Sequence, residues 1–228
     1  MEVRRLSMVS GAIEAQGLAV IIDVFRAFTT AAHVMANGAE RIFPVGRVEE
    51  SFELKRLHPD WIQIGERGGV MVEGFDYGNS PYEVSLVDFS GRTVIQTTGS
   101  GTKGVVKASK ANELLLGSFV MARAITKYIK KVQPEVVSLV AMGNRGVEPN
   151  EEDESCAEYI ESLLKGRKTD FEEIKRRIRA SPTGAKFFDE SQPQFRKEDF
   201  HHAMELDRFD FVLKVIRGER LTVVKEIP

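Results

Sequence analysis

The chain has 228 residues, 42% hydrophobic and 29% charged, which suits a globular core and excludes a disordered or fibrous polymer. Its 32 basic and 34 acidic residues leave a formal net charge of -2, so no global basic surface exists for nucleic acid or an anionic membrane, and any anion must meet a local site. A single cysteine, Cys156, excludes an internal disulfide or a CxxC zinc site, and neither a signal-peptide core nor a run of roughly 18–20 apolar residues for a membrane span is present, so a cytoplasmic protein is expected.

In chain order, the apolar runs Leu18–Val24, Arg41–Val45, Trp61–Ile64, Thr93–Gln96, Glu113–Leu116 and Val136–Met142 are continuous rather than alternating. That is the pattern of strands covered on both faces. Helical spacing fills several gaps: Ala27–Ala36 stopped by Asn37-Gly38, Val48–Leu57 stopped by Pro59, and Phe119–Val132 with Ser118 as N-cap. After residue 150 the charge density nearly doubles and only 3 of the 19 glycines remain, which reads as amphipathic helices with solvated faces. There Glu151–Leu164 spaces Cys156, Tyr159, Ile160, Leu163 and Leu164 helically, and Thr169 with Glu172 reads as a capping box. Leu221–Val224 reads as a last strand at a sheet edge. The alternation predicts a three-layer α/β/α fold with a largely parallel or mixed sheet, one domain over residues 1–228 with a helix-rich last third and no linker.

Ligands of open α/β sheets bind beyond the carboxyl ends of the strands, so the residues after each run carry the functional reading. Asp23 ends the first run and Arg26 follows about one turn on. A carboxylate there can hold a hard divalent cation or attack phosphorus, and a guanidinium can grip phosphate oxygens. An N-cap aspartate paired with its own arginine is an equally good structural reading. A haloacid-dehalogenase phosphatase needs a second aspartate two positions on, where Phe25 stands. The third run leads into Gly65-Glu66-Arg67-Gly68-Gly69 and then Gly74-Phe75-Asp76-Tyr77-Gly78-Asn79-Ser80-Pro81, two glycine-flanked loops each carrying a carboxylate. Helix initiation at Ser80-Pro81 is the favoured reading for Asn79 and Ser80.

Thr97-Thr98-Gly99-Ser100-Gly101-Thr102-Lys103-Gly104, after the fourth run, has the small residues and exposed amides of an anion cradle without being a Walker loop. After the sixth run come Gly143-Asn144-Arg145-Gly146 and the acids Glu151, Glu152, Asp153 and Glu154. Solvated helix-start charge explains most of these acids, while one facing the strand ends would serve as a metal ligand. Cys156 reads as core, since no arginine follows it at phosphatase spacing. His33, His58, His201 and His202 have no partner at metal-ligand spacing, which favours structural or surface roles.

Together, Val20 to Ala27 with Thr29-Thr30, Gly65-Glu66-Arg67-Gly68, Gly74 to Pro81, Thr97 to Thr102 and Glu152-Asp153-x-x-Cys156 resemble, in order and approximate spacing, the motifs of the 2-phosphosulfolactate phosphatase family. The sequence departs from the family pattern at Phe25, Ser100 and Glu158. The resemblance implies a magnesium-dependent phosphatase that releases phosphate from 2-phosphosulfolactate on the route to coenzyme M. By position, Asp23, Arg26, Glu66, Arg67, Asp76, Asn79, the Thr97 to Thr102 loop and Asp153 fall in the family's motifs.

Residues and resemblance converge on a metal-assisted phosphomonoesterase. In this reading Asp23, Arg26, Glu66 and Arg67 are catalytic, and Asp23, Glu66, Asp76 and Asp153 supply the ligands for Mg2+. Thr97, Thr98, Gly99, Ser100, Gly101, Thr102, Asn79 and Arg145 bind the small phosphorylated substrate, with Arg145 or Lys103 meeting its sulfonate or carboxylate. Metal-bound water is the favoured nucleophile over Asp23. The rivals are a phosphatase of another 2-phospho-hydroxy acid and a non-catalytic phosphometabolite sensor. Composition leaves monomer and homodimer equally open.

Overall fold

The computed structural model describes all residues, 1–228. Strand β1 (Glu2–Ser7) runs into helix α1 (Met8–Glu14), β2 (Leu18–Ile22) into α2 (Ala27–Ala36), and β3 (Arg41–Pro44) into α3 (Val48–Leu57). Next come β4 (Ile62–Arg67), the short β5 (Val70–Met71), α4 (Pro81–Ser85), β6 (Thr93–Thr97), α5 (Gly101–Lys107), β7 (Glu113–Gly117), α6 (Ala122–Val132) and β8 (Val136–Ala141). The last third holds α7 (Glu151–Leu164), α8 (Phe171–Ala180), the single turn α9 (Pro182–Ala185), α10 (Lys197–Ala203) and the hairpin β9 (Val212–Arg217) and β10 (Leu221–Glu226).

Ten strands form one mixed sheet in the order β1-β8-β2-β7-β9-β10-β3-β6-β4-β5. β1, β8, β2 and β7 are mutually parallel, as are β3, β6 and β4. The hairpin pairs antiparallel on both flanks and joins these two parallel halves. The expected edge strand at Leu221–Val224 is therefore in mid-sheet, with Val223 fully buried beside Ile42. Three strands escape the pattern reading because none is a continuous apolar run, and β5 has only two residues. β1 (EVRRLS) is a half-solvated edge, and β9 (VLKVIR) is interrupted by Lys214, whose ammonium pairs with Glu113 at 2.9 Å.

The six apolar runs are all strands, and every residue of β2 is buried, as continuous Leu-Ala-Val-Ile-Ile requires when helices cover both faces. Helix α6 buries Ala122, Ile125 and Ile129 and turns Lys127, Lys130 and Lys131 outward. Two cap assignments differ from the sequence reading. Asp170 rather than Thr169 caps α8, accepting from the amides of Glu172 and Glu173. Phe119–Met121 forms a 3-10 turn ahead of α6, and the Ser118 hydroxyl lies 2.7 Å from Thr29 Oγ1 instead of capping. At Ser80 the expected cap is present, with Oγ accepting from Glu83 N and Pro81 at the first helical position. Cys156 is buried, and no helix is long and apolar enough to cross a membrane.

Helices α2 and α5 bring distant strands together at the site. β2 and β6 stand five places apart, yet Gln96 Nε2, on β6, donates to Ala27 O at 2.9 Å, and α5 packs against both β2 and β3. The carboxyl ends of β2, β4, β6 and β8 thus converge, and the segment between α9 and α10 closes over them.

Candidate active site

A cavity of about 290 Å3 opens where those strand ends meet. Its walls are mostly polar: Asp23 from β2, Glu66 and Gly68-Gly69 from the β4–β5 turn, Asn79, Thr98 to Ser100, Gly143 to Arg145, and Glu152. The carboxyl-terminal third supplies the remaining wall through Thr183, Lys186, Gln192, Gln194 and Phe195.

Asp23 is 6% exposed, and its Oδ1 accepts from Ala27 N at 3.1 Å. Burial is the main force raising its pKa well above the ordinary carboxyl range, with the nearby acids Asp153 and Glu66 adding to it. Gly101 has no room for a side chain, because a Cβ would stand 2.9 Å from Asp23 Oδ2 and from Ala27 Cβ. Arg26 does not pair with Asp23. Its Nη1 donates to Asp199 Oδ2 (2.8 Å) and Gln194 O (3.0 Å), and Nη2 donates to Gly69 O (2.8 Å). Three of its five N–H donors hold protein groups, which leaves two for a ligand.

Glu66 ties two loops together: Oε2 accepts from Gly69 N at 2.7 Å and Oε1 from Gly99 N at 2.6 Å. The expected anion cradle at Thr97–Thr102 is largely spent on itself. Thr98 N donates to Thr102 Oγ1, Thr102 N to Thr98 Oγ1, and Ser100 Oγ to Gly143 O. Thr98, Gly99 and Ser100 line the cavity, whereas Thr97, Gly101 and Thr102 stand behind it. Arg67 also lies off the wall and fastens β4 to β6, donating to Glu66 O and to Thr97 Oγ1 (2.9 Å). Lys103 lies off the wall too.

Asp76, expected among the metal ligands, is displaced furthest from that role. Its Oδ2 accepts from Gln63 N at 2.7 Å and from Lys55 Nζ at 3.1 Å, outside the cavity, where it pins the turn after β5 to β4. Asp153 lies beneath the cavity floor. Its Oδ1 accepts from Val24 N (2.8 Å), and its Oδ2 from Gly143 N (2.9 Å) and Asn150 Nδ2 (3.0 Å), so it clasps the ends of β2 and β8. Burial first, then Glu152, pushes its pKa up to about 8.

Glu152, one residue earlier, is the acid that faces the cavity. It is 1% exposed, accepts from Thr183 Oγ1 at 2.5 Å, and burial raises its pKa to about 7. Arg145, with φ +54, and Lys186 stand on the wall with no ion-pair partner in the protein. Glu152 had a sequence signal as one of four adjacent acids and as the first residue of the Glu152-Asp153-x-x-Cys156 motif, but not as a cavity ligand. Asp199, Thr183 and Lys186 had none, since a charged helical third offers many equivalent side chains.

The donor set fits a hard dication. Asp23 and Glu152 line one cavity with carboxyl groups that burial makes reluctant to ionise without a cation, and the cavity has room for retained waters. Asn79, 5% exposed on the same wall, has an Oδ1 buried without any hydrogen-bond partner. A buried carbonyl oxygen left unpaired is costly, and a cation or a ligand donor relieves it.

A family model described as 2-phosphosulpholactate phosphatase matches residues 6–217. A probable 2-phosphosulfolactate phosphatase of Bacillus subtilis is 33% identical over 212 residues, 91% of each chain. One of Clostridium perfringens is 31% identical over 221 residues, 90% of this chain and 89% of that protein. One of Carboxydothermus hydrogenoformans is 42% identical over 149 residues, 65% of this chain and 61% of its own.

Proposed function

Because the chain belongs to the 2-phosphosulfolactate phosphatase family, a family of hydrolases, we propose that it hydrolyses 2-phosphosulfolactate to sulfolactate and phosphate with Mg2+ as cofactor. The observation that carries this reading is the pairing, in one cavity, of the buried acids Asp23 and Glu152 with the unpaired cations Arg145 and Lys186 and the unpartnered Asn79 Oδ1. A substrate with three acidic groups needs all three kinds of residue: acids to retain a metal, cations to meet sulfonate and carboxylate, and oriented dipoles for the phosphoryl group.

Asp23 and Glu152, with Asn79 Oδ1, would hold magnesium, and Asp153 and Glu66 would keep the surrounding backbone in place. When bound, the ion neutralises charge on the phosphoryl oxygens and lowers the pKa of a coordinated water. The two remaining Arg26 donors grip the phosphoryl oxygens. Arg145 and Lys186 orient the sulfonate and carboxylate. Glu152, whose carboxyl burial makes reluctant to ionise, would give up its proton on binding the cation, so the departing alkoxide takes its proton from water. Water rather than Asp23 is the nucleophile in this scheme, because Phe25 occupies the position of the second acid that an aspartyl-phosphate route uses.

The test is phosphate release from 2-phosphosulfolactate and a panel of other phosphomonoesters, with magnesium and with a chelator. Metal-dependent release strongest on the sulfonated ester is expected. Release confined to other esters would keep the chemistry and change the substrate, and binding without release would establish a sensor.

A further inference from the structure

The fold joins two histidines that the sequence holds 169 positions apart. His33, in α2, is 2% exposed, and its Nε2 lies 3.3 Å from Nδ1 of His202, in α10. Glu205 follows α10, and one ligand atom from each of the three residues lies within 4.8 Å of the others. Phe209 packs edge-on against His33 at 5.1 Å between ring centroids, and the Tyr82 ring lies 5.8 Å from that of His202. None of the three lines the acidic cavity.

The separation of the two nitrogens is informative. Around an ion with bonds of about 2.0–2.1 Å, two tetrahedral ligands stand roughly 3.3–3.4 Å apart, which is the spacing found here without an ion. Two imidazoles and one carboxylate suit a borderline transition ion, whereas the all-oxygen set at Asp23 and Glu152 suits magnesium. Glu205 now pairs with Arg208, so an ion at this place would compete with a guanidinium for the carboxylate.

We propose that His33, His202 and Glu205 form a second metal site, for a divalent ion of the zinc type, with a fourth position open to water. The ion bridges α2 to α10. Helix α10 also carries Asp199, the anchor of Arg26, and the chain just before it supplies Gln192, Gln194 and Phe195 to the cavity wall. Occupancy would therefore brace the wall of the catalytic cavity from outside it.

The test is titration of the full chain, stripped of metal and kept in excess magnesium, with Co2+ followed by visible absorption. One equivalent with the intense bands of a four-coordinate site is expected, displaced by Zn2+, which also raises the melting temperature. Glu205→Gln and His202→Ala should each weaken binding at least about tenfold, by analogy with losses around metal sites. Arg208→Gln, which removes the competing cation, should tighten binding. The Glu205 variant, on a half-exposed side chain, decides the matter if the His202 variant does not fold. Weak bands of a six-coordinate ion alone, or a Glu205 variant that titrates like the parent, would overturn the proposal.

Discussion

Arg26 and Asp199 form an ion pair at 2.8 Å in which the two side chains are 5% and 0% exposed. The aspartate also accepts from Ser80 Oγ at 2.5 Å and from Tyr82 N at 3.2 Å, so one carboxylate joins α2, α4 and α10 beneath the cavity. Removing one partner leaves the other charge buried without compensation. Asp199→Ala should cost about 3–5 kcal/mol in urea unfolding. It should also abolish phosphatase turnover by freeing Arg26 from the wall. A loss below about 1 kcal/mol would show that the pair is solvated in solution.

Asp23→Asn separates charge from shape. The carboxamide keeps an oxygen for the Ala27 amide and removes the ionisable group whose burial is unfavourable. Phosphate release should fall on the order of 10²–10⁴-fold, the range for a positioned catalytic group, while the melting temperature holds or rises. Undiminished activity would remove Asp23 from the mechanism.

Stability should depend on pH through Glu152 and Asp153, whose pKa values rise from 4.5 to about 7 and from 3.8 to about 8 on folding. Each binds its proton more tightly when folded. Its contribution is therefore full below pH ~4 and is lost as pH climbs through the folded values. In chelator the melting temperature should decline from pH 5 to pH 8.5. Magnesium should flatten that decline, since it replaces the protons. A profile identical with and without the ion would place magnesium elsewhere.

Gly101→Ala tests the packing behind the site. The added methyl would meet Ala27 Cβ and Asp23 Oδ2 at 2.9 Å and Phe28 Cζ at 3.0 Å. Overpacking of this kind costs typically about 1–3 kcal/mol. Displacement of Asp23 should reduce turnover beyond what the lost stability explains, as measured well below the melting temperature.

What the sequence determined by itself is local. Continuous apolar runs produced six of the seven strands of the two parallel halves, and the 3.6-residue spacing placed Ala27–Ala36, Val48–Leu57 and Glu151–Leu164 at their observed bounds. The same reading brought Asp23, Glu66 and the Thr98 to Ser100 stretch to strand ends, because a loop that follows a buried strand has no other place to go. Which side chains meet was decided by tertiary structure. Rotation of α7 about its axis turns Glu152 into the cavity and Asp153 beneath it, while Glu151 pairs with Arg177 and Glu154 accepts from Ser7. Four consecutive acids cannot announce that division. The mid-sheet position of the terminal hairpin, the Asp199 anchor, the displacement of Asp76 and the meeting of His33 with His202 all depend on contacts between distant segments. Periodicity records which face of an element is apolar, and only the packed sheet selects which element that face will meet.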